Sequence, residues 1–281
     1  MSVKIIVDST ADMIPRVAAR VKTVPLTVHF GEKEYVSGVD IDGETFYKML
    51  VESDVLPTTS QAAPFAFSEV FAEAVEQGHE VVCLTCSGKL SGTNQSAVIA
   101  AGDYPGRVHV VDSKTIAIGL GILVEYALQL VDRGFSAGEI ARKLLQKRES
   151  IRVLALVDTL EYLKKGGRIS SAAAIAGGLL NIKPVITITG GEIRVLGKAR
   201  GSRQANNLLV QEIGKAGGVD FEKPLLLGYT GLSDALLRKY IEDSASLWEN
   251  ARQELPVSIV GSVVGTHVGP GAVAVAFFSG E

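Results

Sequence analysis

Cysteine is almost absent from this chain: Cys83 and Cys86 are the only two among 281 residues, so no disulfide framework organises the fold. Their C-x-x-C spacing invites a redox reading. Both fall in or at the end of an apolar run that reads as a strand, where positions i and i+3 face opposite sides. Redox pairs of this spacing sit at helix starts with both sulfurs on one side, so these two read as buried, reduced thiols. Charge of one sign is lacking too. With 28 Lys and Arg against 31 Asp and Glu, and a net charge of −3, no basic run offers a footprint for nucleic acid. A DNA-binding regulator is therefore not expected. His79-Glu-Val-Val-Cys83 approaches the zinc-protease helix, but Cys replaces the second His in a strand-like setting, and no metal site is expected. Long unbroken apolar runs are missing as well. Val257 to Gly280 carries no Asp, Glu, Lys or Arg, but Gly265-Thr-His-Val-Gly-Pro-Gly271 divides it into two short β-branched runs. That predicts a hairpin or two neighbouring strands rather than a membrane span. Asp8 stands where a secretory signal would still be apolar, so a cytoplasmic protein without integral membrane association is expected.

What is present is a recurring order of strand, hydroxyl-rich turn and helix. Glu80-Val-Val-Cys-Leu-Thr85 is a β-branched run, and the turn after it holds Ser87, Gly88, Ser91, Gly92 and Thr93, with Ser91 predicted as the helix N-cap. A helix start offers unpaired N–H groups and the positive end of its dipole. Dinucleotide glycines and a phosphate-loop lysine are both lacking, so a small oxyanion such as a carboxylate is the ligand that would suit the turn; simple capping is the alternative. Val3-Lys-Ile-Ile-Val7 runs likewise into Asp8-Ser-Thr-Ala-Asp12, and Arg107-Val-His-Val-Val111 into Asp112-Ser113 ahead of a helix over Ile116–Asp132. Three such turns predict a parallel sheet with crossover helices. Ligands collect beyond the carboxyl ends of such strands, so the three sets of hydroxyls are expected to converge.

Residues 24–57 break the pattern, with short strands over Val24–Phe30 and from Glu34 and a helix over Ile41–Ser53. His29 alternates with Val28 and Phe30 and reads as a strand-face residue. The polar loop Pro57-Thr-Thr-Ser-Gln61 precedes a helix from Pro64 to about Gln77, with Phe65, Val70, Phe71 and Val75 predicted as its buried face. In the second half, Leu160 to Lys165 is followed by Gly166-Gly167, which presents Arg168. Ser171-Ala-Ala-Ala-Ile-Ala-Gly-Gly-Leu-Leu180 predicts a helix so rich in small residues that a backbone or a slender apolar ligand approaches it closely. Pro184 to Leu196 reads as a hairpin about Gly190-Gly191. Lys198, Arg200 and Arg203 follow as the most basic spot, either a solvated turn or a site for phosphate or an acidic partner. Helices over Gln204–Lys215 and Ser233–Gln253 enclose a strand over Pro224–Tyr229. His267, among glycines in the loop Gly265–Ala272 between the last two strands, reads as a ligand contact.

Together these stretches resemble the DegV family, the fatty-acid-binding subunits of bacterial fatty acid kinase. The motifs that carry the resemblance are Asp8-Ser-Thr-Ala-Asp, Thr59-Ser-Gln, Leu90-Ser-Gly-Thr, Asp112-Ser-Lys, Leu163-Lys-Lys-Gly-Gly-Arg-Ile-Ser, Lys183-Pro, Ala199-Arg and Thr266-His-Val-Gly-Pro-Gly-Ala. The resemblance implies a long-chain, palmitate-like fatty acid as ligand, no other cofactor, and a fatty acid kinase catalytic subunit as partner. It places the carboxylate on Thr59, Ser91 and His267, with Ser60, Gly92, Thr93, Thr266 and Arg168 beside them. It places an aid to phosphoryl transfer at Arg200. Two departures stand out: Ser87-Gly88-Lys89 where many members have Ser-Ser-Gly, and Asn94 where many have Tyr.

The chain is long enough for two medium domains. The expectation is an α/β protein with a mainly parallel N-terminal domain over residues 1–155, including the β-rich insertion 24–57, and a second α/β domain over 156–281, with the ligand held between them. Such a protein is a carrier that leaves phosphoryl transfer to its partner. The alternative is an acyl hydrolase with Ser91 as nucleophile and His267 as base, although Lys89-Leu-Ser-Gly-Thr93 is not the G-x-S-x-G elbow and no acid stands out to orient the histidine.

Overall fold

A computed structural model of the chain describes residues 2–169, 182–251 and 254–280. Strands β1 (Val3–Asp8), β2 (Lys22–Val24), β6 (Glu80–Thr85) and β7 (Val108–Asp112) form a four-stranded sheet in the order β2-β1-β6-β7. Every pair in it is parallel. The strands are apolar on both faces because helices cover both. Ile5, Val7, Val82 and Leu84 pack toward α5 (Ile118–Asp132) and α6 (Ala137–Lys147), whereas Ile6, Val81 and Cys83 pack toward α3 (Pro64–Glu76) and α4 (Thr93–Ala101). Cys83 and Cys86 fall in different clusters, both free and buried, and burial pushes both thiols well up from their ordinary range.

The insertion forms a small antiparallel sheet, β4 (Lys33–Val36), β3 (Thr27–Phe30) and β5 (Thr58–Ser60), with α2 (Gly43–Glu52) beside it. On α3 the buried face is Phe67, Phe71 and Ala74. Phe65, expected inside, is 71% exposed, because the helix starts at Pro64 and turns its first residues outward.

The remaining strands form a six-stranded sheet in the order β10-β9-β8-β13-β11-β12, where β8 is Ile151–Leu156, β9 Ile182–Thr189, β10 Glu192–Arg200, β11 Leu226–Tyr229, β12 Val257–Ile259 and β13 Val273–Phe278. All neighbours are antiparallel except β11 and β12. The β9–β10 hairpin turns at Gly190-Gly191 as the sequence predicts. The change from one large sheet to the other comes before Ile151, a few residues ahead of the 155/156 division read from sequence. The last stretch differs from expectation. β12 and β13 do not pair with each other but flank β11, and between them Ser262–Val268 forms a helix. The numbering of short α1 (Pro15–Ala18), α7 (Glu161–Lys165), α8 (Gly201–Lys215) and α9 (Ala235–Asp243) makes this last helix α10. Val263, Val264, Thr266 and Val268 favour strand locally. Packing of α10 on α2 overrides that preference: Gly265 lies so close to Phe46 and Tyr47 that a Cβ there would stand 2.6 Å from the tyrosine hydroxyl. The Ala- and Gly-rich helix expected over Ser171–Leu180 lies outside the described residues.

Helix α5 joins the two large sheets. It packs on β1 and β6 from one side and on β8, β11 and β13 from the other, and every residue from Ile118 to Val124 is buried. A helix apolar all round is what such a central position demands. A Cβ on Gly121 would overlap the Asp12 carbonyl oxygen, and one on Gly119 would overlap Val153. Gly121→Ala is expected to cost about 1–3 kcal/mol by overpacking against backbone that cannot swing away. Urea denaturation at neutral pH checks this; a midpoint equal to that of the unchanged chain would show that α5 has room to move.

Candidate functional site

The carboxyl ends of β1 and β6, the end of β5, the segment before α5, and α10 enclose a cavity of about 360 Å³. Its polar wall is built from Thr10, Thr59, Ser60, Gln61, Ser91, Arg168 and His267. Ile116, Ile193, Val264 and Val268 line both this cavity and a second, almost wholly apolar one of about 60 Å³ between α10 and the six-stranded sheet. The second is lined further by Val153, Ala155, Ile186, Gly228 and Ala274. A polar chamber thus adjoins a narrow apolar one.

Each polar side chain is set by its own local structure. Thr59 sits on β5 opposite Val28 of β3, and its Oγ1 lies 2.9 Å from His267 Nε2. The Ser60 hydroxyl is 2.7 Å from His29 Nε2, which gives that strand-face histidine a structural partner. Gln61 lies across Gly92, where any Cβ would overlap its amide, and donates to Ser96 Oγ at 3.1 Å. Gly92, not Ser91, is the cap residue of α4, and no side chain caps the helix. Ser91 Oγ instead accepts from Thr93 N at 3.3 Å and lies 2.9 Å from Thr93 Oγ1. This local hydroxyl turn outcompetes the cap. Arg168, just past the glycines that end α7, donates from Nε to Leu90 O at 3.2 Å and from Nη1 to Gly166 O at 2.6 Å. Those two bonds spend part of its donor fork on backbone carbonyls.

His267 is the most perturbed group in the wall. Burial, helped by the nearby Arg168 charge, lowers it from its ordinary 6.5 to about 4, so the ring is neutral near pH 7. Its Nδ1 is buried with no hydrogen-bond partner among the described residues, packed where a Cβ on Gly166 would overlap it. When Nε2 carries the ring proton it donates to Thr59, and the threonine hydroxyl is free to donate into the cavity. The arrangement presents hydroxyl donors to an acceptor beside the Arg168 guanidinium, which two backbone carbonyls hold in place.

Of the residues singled out from sequence, Thr59, Ser60, Ser91, Gly92, Arg168 and His267 line the cavity. Thr93 is buried with its hydroxyl on Ser91, and Thr266 donates to Ser262 O at 2.9 Å inside α10. Arg200 is exposed at the end of β10 and outside the lining. Six residues of strand lie between it and Ile193 at the cavity, roughly 20 Å. The expected meeting of three hydroxyl turns holds for Thr10 and Ser91, but Ser113 turns inward, donating to Thr115 O at 3.2 Å. Of the residues not singled out, Thr10 and Gln61 stood within quoted motifs, whereas Leu26, Ile193 and Val264 carried no sequence signal beyond being apolar.

A family model described as an uncharacterised protein of the DegV family matches residues 2–280. The chain belongs to the DegV family. A DegV domain-containing protein of Deinococcus radiodurans is 36% identical over 283 residues, covering 98% of each chain. Among solved structures, a DegV family protein from Thermus thermophilus described for its fatty acid binding superposes with a TM-score of 0.87 at 33% identity, over 99% of this chain and 100% of that one. A stearic acid-binding protein from Eubacterium ventriosum superposes at 0.86 with 29% identity, over 98% and 97%. The mixed α/β architecture is thus the DegV fold.

The low His267 value has a consequence for stability. Between about 4 and 6.5 the unfolded chain binds a proton that the folded ring does not, so this contribution is full above pH 6.5 and is lost as the pH falls toward 4. Asp12, raised by burial from 3.8 to about 7, acts in the opposite sense, costing stability as the pH rises through that window. In His267→Gln the loss between pH 6.5 and 4.5 is expected to shrink by about 2 kcal/mol relative to the unchanged chain. Urea unfolding across that range measures it, and parallel curves for the two proteins would contradict the buried neutral ring.

Proposed function

We propose that this protein binds a long-chain fatty acid, with the carboxylate on Thr59, Ser91 and the His267–Thr59 pair and the acyl chain running past Ile116, Ile193, Val264 and Val268, opening the space between α10 and the six-stranded sheet as it enters. The observation that carries this reading is that the polar cavity adjoins an apolar one, with Ile116, Ile193, Val264 and Val268 lining both. The Thermus and Eubacterium relatives described as fatty-acid binders support it. A carboxylate accepts several hydrogen bonds, and hydroxyls supply them. Burying roughly fourteen methylenes at about 0.8 kcal/mol each is worth on the order of 11 kcal/mol gross, much of it offset by lost ligand freedom. The chain supplies the affinity and the head group sets the orientation.

We further propose that the bound acid is presented to a kinase subunit. A carboxylate oxygen then attacks the terminal phosphorus of a nucleoside triphosphate held by that partner; the bond from that phosphorus to the bridging oxygen breaks, the nucleoside diphosphate leaves, and an acyl phosphate is formed. Arg200, exposed and roughly 20 Å along β10 from the cavity wall, serves docking in this scheme rather than contact with the reacting oxygen. For the hydrolase alternative, Ser91 bonds to Thr93 and not to His267, and among the described residues no acid holds His267 Nδ1.

Ser91→Ala and Thr59→Ala are each expected to weaken palmitate binding by about 10-fold or more, as loss of a hydrogen bond to a charged group implies. Arg200→Ala is expected to leave binding unchanged while abolishing acyl-phosphate formation with the kinase. Calorimetric titration with palmitate and a coupled phosphorylation assay test the two parts. A protein that takes up no fatty acid would end the reading, and equal loss of binding in Arg200→Ala would end the docking assignment.

A further inference from the structure

The Asp8–Asp12 turn contributes Thr10 to the cavity, but most of its hydrogen bonds go elsewhere. Asp8 is fully buried; its Oδ1 accepts from Thr10 N at 2.9 Å and Thr10 Oγ1 at 2.6 Å, and its Oδ2 accepts from Cys86 N at 2.6 Å. Ser9 Oγ accepts from Leu26 N at 2.9 Å. Ala117 N donates to Thr10 O at 3.0 Å, and Asp12 N donates to Ala117 O at 3.3 Å. Asp12 Oδ1 accepts from Gly261 N at 2.8 Å. One pentapeptide is therefore bonded to the chain leading into the Ser91 turn, to Leu26, to the residue after Ile116, and to the start of α10. Each of those segments supplies a wall of the cavity.

The Asp12 link is the unusual one. The carboxyl is 7% exposed, and its buried Oδ2 has no hydrogen-bond partner among the described residues, an arrangement that costs free energy and calls for an explanation. Its one side-chain bond goes to Gly261, the cap residue of α10. Two other tethers hold the same end of that helix: Ser37 Oγ lies 2.9 Å from Ser262 Oγ, and Tyr47 donates to Val260 O at 2.9 Å. His267 lies six residues beyond Gly261, about 9 Å along the helix axis, so a tilt at the start displaces the ring at the end.

We propose that Asp12 is a positioning residue for the head-group site: by accepting the Gly261 N–H it fixes the start of α10 and so holds the His267 ring on Thr59. The link from Asp12 to His267 stands on geometry alone, whereas its value for ligand binding rests on the fatty-acid reading above.

The full-length protein tests this through two pairs of variants. Asp12→Asn keeps the acceptor oxygen and Asp12→Ala removes it. Gly261→Ala keeps the N–H, while Gly261→Pro removes it at a φ of −69° that proline adopts. Both Gly261 variants place the same Cβ about 3.2 Å from Asp12 Oδ1, and Gly261→Pro adds its ring Cδ where the N–H hydrogen pointed at that oxygen, so it breaks the bond and unseats the start of α10 together; should Asp12→Ala fail to fold, this variant still tests whether the seating of α10 holds the His267 ring. The readouts are the His267 ring titration by nitrogen-15 NMR and palmitate affinity. In Asp12→Ala and Gly261→Pro the ring midpoint is expected to rise by about one pH unit or more from its value near 4, with palmitate bound at least about tenfold more weakly. Asp12→Asn and Gly261→Ala are expected to keep both properties. An unmoved ring in Asp12→Ala or Gly261→Pro overturns the proposal, whatever happens to palmitate. A shifted ring in a protein that never bound palmitate supports the positioning role and removes the fatty-acid reading instead.

Discussion

The constraint on which the rest depends is the burial of α5 between two sheets. Its first turns touch β1 and β6 on one side and β8, β11 and β13 on the other, and glycines at 119 and 121 let backbone and side chains on both sides come within contact. That packing brings the carboxyl ends of the parallel strands to face α10 and the six-stranded sheet, and the cavity is the space left at the helix's N-terminal end. The backbone leading into α5 carries the strain of this arrangement. Lys114 and Ala117, at φ of 53° and 57°, are the non-glycine residues with positive φ among those described. Ala117 is held there by hydrogen bonds to both Thr10 and Asp12. Strain of this kind persists only where neighbours over-determine it, and here the neighbours are the turn that ties the cavity walls together.

Most of what positions the site was legible because it is local. The β-branched runs of β1, β6 and β7, the Gly190-Gly191 hairpin and the hydroxyl turns announce themselves within a few residues. What was not legible is decided by partners far along the chain. Nothing in Ser262–Val268 says helix; its packing on Phe46 and Tyr47 does. Nothing in Leu90-Ser-Gly-Thr93 says whether Ser91 caps α4 or bonds to Thr93, because both satisfy the same N–H groups. Thr93 and Thr266 looked equivalent to Thr59 as hydroxyls. They differ in that each finds an acceptor within its own turn, and only Thr59 has its partner on another element.

The chemistry of the polar wall follows from what it withholds. Arg168 is partly engaged with carbonyls and His267 is neutral, so a carboxylate bound as proposed would meet hydroxyl donors beside one cation whose donor fork is already partly spent. A buried, fully paired carboxylate gains strong Coulombic attraction after a large desolvation penalty, and its oxygens lose nucleophilic character to the cation they serve. Hydroxyl donors impose orientation at lower cost and leave lone pairs on the outward oxygen. If the proposed carrier role holds, a polar grip on the head and an apolar lining for the tail would divide the work better than a tight ion pair would.

That division also explains why the placing of one neutral ring matters. A salt bridge tolerates small errors because Coulombic attraction falls off slowly, whereas a hydrogen bond weakens steeply with angle and distance. The proposed site on Thr59, Ser91 and a neutral His267 would therefore depend on how accurately α10 is seated. The seating falls to buried polar contacts at its start: Asp12 on Gly261, Ser37 on Ser262 and Tyr47 on Val260. Two of these are neutral hydroxyls that any folded state would retain. Asp12 is a carboxyl kept out of water with one oxygen unpaired among the described residues, and burial raises it to about 7. Proteins keep a group in that condition when its geometry is needed. Here the only geometry it commands is the first N–H of the helix that carries His267.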